Sequence, residues 1–163
     1  MEHRERPGLE PWYVTGLVDG DGSFTYSRSS RGASPLTLYF AIKLTKKDDD
    51  LLEKVRAYFN GVGKIYPVRA RSPRYNSGFT KRASYFRVSK TEELAGVVEH
   101  FDRYRPQGRR REVYGVWREM YEIKKGHRDG GPMSPEAREQ LDELAERLSS
   151  LSPRNRPWDG EEE

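Results

Sequence analysis

The stretch GLVDGDGS, Gly16 to Ser23, sets two aspartates and three glycines at the end of the apolar run WYVTGLV. Asp/Gly clusters commonly form turns, and the same carboxylates and carbonyls suit a hard divalent cation. A proline at position 11 and glycines at 20 and 22 predict a short helix over about residues 9–20. Gly16 and Gly20, four apart, then share one helix face. Small residues at that spacing let two helix backbones approach closely. An EF-hand loop starting at Asp19 needs Gly sixth and Glu twelfth. Phe24 and Ser30 stand there, so that reading fails.

Downstream the period changes. Phe24 and Tyr26 alternate with Ser23, Thr25 and Ser27, and Leu36, Leu38, Phe40, Ile42 and Leu44 alternate with Thr37, Tyr39, Ala41 and Lys43. These predict two strands joined by the polar loop RSSRGASP. Asp48 to Asp50 open a helix, where acids meet the positive end of its dipole, and NGVG stops it. A second hairpin is predicted over about 63–71 and 80–89. Three more helices follow: KTEELAGVVEHF with Thr91 as a candidate cap, RRREVYGVWREMYEIKKG, and SPEAREQLDELAERLSSL with Ser134 as cap and Pro135 at N1. The order is α-ββ-α-ββ-α-α-α, an α+β chain whose two ββα runs are crude repeats. Residues 9–150 are expected to form one domain, flanked by an N-terminal extension (1–8) and a C-terminal tail (151–163).

Charge is segregated. Residues 22–47 carry Arg28, Arg31, Lys43, Lys46 and Lys47 and no acid, and residues 61–90 carry eight basic residues and no acid. Both acid-free segments are the predicted hairpins. An antiparallel sheet can bury one face and leave the other open, so the open face collects the positive charge and points to a polyanion partner. Cysteine is absent, which excludes disulfides and thiolate chemistry. No apolar run approaches the ~20 residues of a membrane span, and MEHRERPGLEPW lacks a signal-peptide core. A soluble intracellular protein with no membrane partner is expected, its compartment left open.

VTGLVDGDGSF, Val14 to Phe24, resembles the motif of the LAGLIDADG homing endonucleases in its DGDGS variant. The likeness extends over about residues 9–125, because LYFAIKLTKKDDDLLEKVRAYFNGVGKIY and YFRVSKTEELAGVVEHF follow the family's strand–helix order. The resemblance implies an αββαββα saddle with a DNA-binding antiparallel sheet, here with extra C-terminal helices, and two such units meeting through their motif helices. It implies Mg²⁺ as cofactor, with Mn²⁺ or Ca²⁺ able to replace it in binding. Asp21 takes the place of the metal-ligating acid, the Gly20 carbonyl that of a second ligand, and Asp19 that of an orienting or capping group. Arg109 or Arg110 takes the place of the basic residue that approaches the scissile phosphate; Arg does not shuttle protons at neutral pH, so its role would be charge stabilisation. Leu44 stands where a polar residue often orders water, a task left to Lys43 or Lys46.

Alternation then assigns the DNA face: Ser23, Thr25, Ser27, Arg31, Thr37, Tyr39 and Lys43 from the first hairpin, and Lys64, Tyr66, Lys81, Tyr85 and Arg87 from the second. A strand of about 9 residues spans about 30 Å, or roughly nine base pairs, so two halves cover about 20. One motif copy per chain implies a homodimer through Gly16, Gly20, Trp12 and Tyr13 on a pseudo-palindromic duplex. The expected function is a site-specific, metal-dependent DNA endonuclease. An RNA-binding intron maturase or a cleavage-dead DNA binder on the same scaffold is the alternative.

Overall fold

Glycine at position 22 decides how the first helix meets the first strand. In the computed structural model, which describes residues 8–28, 36–68, 82–127 and 133–151, helix α1 (Pro11–Asp21) passes without a linker into β1 (Gly22–Ser27). The Gly22 N–H bonds to the Val18 carbonyl while Gly22 itself is already extended, at φ −88° and ψ 166°. A Cβ there would lie 2.5 Å from Val18 Cγ1, so the bend requires the missing side chain, not an unusual dihedral.

The remaining elements are β2 (Thr37–Thr45), a 3-10 turn (Lys46–Asp48), α2 (Asp49–Tyr58), β3 (Lys64–Val68), β4 (Ala83–Val88), α3 (Thr91–Arg103), α4 (Arg110–Gly126) and α5 (Pro135–Leu151). This is the expected order. The acids at 48–50 do open a helix, after the 3-10 turn. Asn60, Gly61 and Gly63 all take positive φ, which accounts for the NGVG stop. Ser134 caps α5, its Oγ accepting the Ala137 N–H at 3.2 Å. Thr91 does not cap α3: Lys90 holds the N-cap position and no side chain bonds there.

The four strands pair antiparallel in the order β1-β2-β4-β3. On the covered face Phe24, Phe40, Ile42, Phe86 and Val88 are nearly inaccessible and pack against Val14, Val18, Leu52, Val55, Leu94, Val97, Phe101 and Trp117. Phe24 is the hub, with ring centroids 5.0–5.4 Å from those of Phe40, Phe101, Tyr114 and Trp117. Burying one such ring contributes roughly 1.5–3 kcal/mol. Helix α5 lies on α4 through Leu141, Leu144, Ala145 and Leu148. It also reaches the first hairpin, where Tyr26 and Ser149 hydroxyls meet at 2.7 Å and Arg28 pairs with Asp142 at 3.0 Å. No helix among the described residues is long and apolar enough to cross a membrane.

Candidate nuclease site at the end of the motif helix

The sequence of α1 divides the helix into two sides. Val14, Thr15 and Val18 are buried, while Trp12, Tyr13, Gly16, Gly20 and Asp21 are exposed. A Cβ added at Gly16 or Gly20 would meet nothing within 4 Å. The fold of this chain therefore does not require those two glycines to be small. Trp12 and Tyr13, 55% and 50% exposed, flank the bare strip.

The buried side is held by a polar chain. Thr15 donates to the Tyr104 carbonyl at 2.7 Å, so its oxygen is left to accept the His100 Nε2–H at 3.0 Å. His100 Nδ1 then accepts the Tyr58 hydroxyl at 2.9 Å. The partners select the neutral Nε2–H tautomer, and burial pushes the imidazole pKa down to about 4. Helices α1, α2 and α3 are thereby cross-linked behind the motif.

The two aspartates separate in role. Asp19 accepts the backbone N–H groups of Gln107 (2.8 Å) and Gly108 (3.2 Å), anchoring the turn that leads into α4. Asp21 is exposed and makes no hydrogen bond or ion pair among the described residues. The last-turn carbonyls are also apportioned: Val18 accepts Gly22 N–H, and Arg110 donates to the carbonyls of Asp19 and Gly22. The Gly20 carbonyl stands between them in a turn where no intrahelical donor follows. An exposed carboxylate beside such a carbonyl is an all-oxygen donor set that fits a hard cation. Among the described residues no cluster of three or more His, Cys, Asp or Glu could hold a metal.

Arg110 lies against the α1–β1 junction, beside the motif end. Its Nε is 2.6 Å from the Gly22 carbonyl and an Nη reaches the Asp19 carbonyl, so the guanidinium braces backbone instead of facing outward. Arg109 is exposed at the N-cap of α4. Leu44 is 8% exposed on the covered face, because the pleat turns its outward neighbours Lys43 and Thr45 to the open side.

On the open face the register builds rows. Ser23 pairs with Ala41, Ala41 with Arg87, and Arg87 with Lys64. Lys43 pairs with Tyr85, and Tyr85 with Tyr66. Thr25 faces Tyr39, and Ser27 faces Thr37. The strands contain no acid. Arg31 and Lys81, both expected on this face, lie outside the described residues.

A family model described as LAGLIDADG endonuclease matches residues 14–121, from α1 into α4. The chain belongs to the LAGLIDADG endonuclease family. It is 31% identical over 117 residues to an uncharacterized 50.9 kDa protein in ND4 intron 1 of Podospora anserina, and the match covers 68% of this chain and 23% of that protein. The chain thus spans about a quarter of that relative's length. The LAGLIDADG meganuclease I-AabMI, solved bound to uncleaved DNA, is 26% identical with a TM-score of 0.66 over 84% of this chain and 44% of that one. The archaeal intron-encoded homing endonuclease I-Vdi141I, solved in complex with DNA, shares the fold at a TM-score of 0.71 and 19% identity, over 91% of this chain and 87% of that one.

Within this LAGLIDADG chain, one segment that bears on the site was not singled out by charge segregation. Residues 103–111 carry Arg103, Arg105, Arg109, Arg110 and Arg111 and no acid. Asp19 pins this segment to the motif end through Gln107 and Gly108. The same acid-free count that marked the hairpins would have found it.

Proposed function

We propose that the chain is one half of a two-fold, site-specific DNA endonuclease that makes metal-dependent double-strand breaks. One observation carries the reading. At one end of α1 an exposed carboxylate, Asp21, without a partner among the described residues, meets an open four-stranded sheet without a single acidic residue. Phosphodiester DNA would be attracted to the sheet, and its phosphates would complete an oxygen shell begun by Asp21 and the Gly20 carbonyl. Mg²⁺ held there would supply an activated water and stabilise the leaving oxygen. The chain's own part is to aim those two donors, to keep Asp19 occupied with α4, and to offer Arg109 as a fixed positive charge near the phosphate.

The bare Gly16/Gly20 strip supports the second half of the reading. Glycine costs roughly 0.5–1 kcal/mol in a helix interior relative to Ala, and among the described residues no atom lies close enough to a Cβ at either position to require its absence. Close packing against the same helix of a second chain would require it, and would bring two Asp21 side chains together near one axis. The target is then a pseudo-palindromic duplex of about 20 base pairs.

The test is to incubate the protein with the joined DNA sequence that flanks its reading frame, and with the interrupted form, with and without Mg²⁺. Cleavage of the joined duplex alone, and only with the cation, is expected. Metal-independent binding to the RNA transcript with no DNA cleavage would replace this reading with the maturase one.

A further inference from the structure

Arg87 on β4 faces Ala41 on β2 and Lys64 on β3 across the open sheet. Its guanidinium carbon lies 3.9 Å from the ring centroid of Tyr39, which is two residues along β2 from Ala41 on the same face. This is the diagonal neighbour relation, within reach of long side chains. Ala41, between Tyr39 and Arg87 on the same face and paired with Arg87, is only 1% exposed although it faces outward.

Two features point beyond a stabilising contact. Arg87 and Lys64 are like charges directly opposite each other, an arrangement that is destabilising in a sheet. No strand residue is acidic, so the sheet itself supplies no counter-charge. An anionic partner does. Stacking also restrains Arg87: one face of the guanidinium is occupied by the ring, and the planar fork of N–H donors stays at its edge. A restrained planar fork on an interior strand suits bidentate recognition, whereas the exposed Lys64 ammonium is a mobile point charge.

We infer that Tyr39 and Arg87 form one reading unit that selects guanine at a single position in each half-site. Arg87 donates to guanine O6 and N7, and Tyr39 fixes the fork that does so. The inference rests on the DNA-binding reading above.

The experiment is selection from a randomised duplex library, with Ca²⁺ present, by wild type, Arg87→Lys, Tyr39→Leu and Lys64→Ala. Wild type is expected to require guanine at one position per half-site. Arg87→Lys, which keeps the charge, and Tyr39→Leu should each lose about tenfold of preference at that same position and little elsewhere. Lys64→Ala should weaken binding without changing that position. As a measurement independent of mutant folding, replacing that guanine by 7-deazaguanine should weaken wild-type binding about tenfold. Uniform losses over all positions, retention of the guanine preference in Tyr39→Leu, or indifference to 7-deazaguanine would overturn the assignment. Wild-type protein that selects no sequence at all overturns both this inference and the reading beneath it, so the two failures are distinguishable.

Discussion

Asp19 and Arg110 brace one junction from opposite directions. The Asp19 carboxylate accepts N–H groups from Gln107 and Gly108, just before Arg110, while Arg110 donates back to the carbonyls of Asp19 and Gly22. The α1–β1 bend and the start of α4 therefore hold each other, and exposed Asp21 lies in sequence between the two held positions, Asp19 and Gly22.

This geometry separates two roles for Arg110. Lysine keeps the charge but cannot span two carbonyls with a fork. Arg110→Lys is expected to lower stability and cleavage nearly as much as Arg110→Ala, while Arg109→Lys keeps most of both. Asp19→Ala should cost about 1–2 kcal/mol, and the Asp19/Arg110 double variant should cost less than the sum. Thermal melts and single-turnover cleavage check this. Full rescue by Arg110→Lys would move Arg110 from the brace to the phosphate.

Asp21→Asn keeps the size of the side chain and removes its charge. Turnover is expected to vanish while DNA binding holds or improves, because repulsion of phosphate falls. Asp21 has no partner among the described residues, so the melting temperature should stay put. Cleavage near the wild-type rate would remove Asp21 from the mechanism.

Gly16→Leu probes association, since a Cβ there meets nothing within 4 Å among the described residues. The isolated fold should tolerate it. Overpacking a close two-fold contact costs about 1–3 kcal/mol per site, applied twice. Sedimentation should show a monomer or a loosened dimer, with half-site binding and no double-strand breaks. A wild-type protein that sediments as a monomer both free and on its target would contradict the dimer.

His100 makes the back of α1 sensitive to acid. Its folded pKa is about 4, below the ordinary value of about 6.5. Between these values the unfolded chain binds the extra proton, so stability is fully present above about pH 6.5 and is lost as pH falls toward 4. The loss from this group is up to ~3 kcal/mol. His100→Phe should be less stable at neutral pH, with the Tyr58 hydroxyl losing its acceptor and Thr15 keeping only its bond to the Tyr104 carbonyl, and should show a flatter decline from pH 6.5 to 4 in denaturant titrations.

The sequence alone determined a first helix over about residues 9–20, the alternation that sorts strand residues into covered and open faces, the acid-free hairpins and the family. All of these are local: period, composition and a short motif survive without knowing what packs where. The stripe Leu141, Leu144 and Leu148 was likewise legible as a helix face and is buried as such. Tertiary structure decided which polar groups are spent. Arg110 bonds a carbonyl 91 residues away, His100 a threonine 85 away, and Ser149 a tyrosine 123 away. Nothing in the spacing of GRRR says which arginine turns back toward α1, because a long side chain chooses its rotamer from the acceptors the assembled fold presents. Arg87 over Tyr39 is of the same kind: alternation put both on the open face, and only the register that sets Arg87 against Ala41 brought ring and guanidinium together.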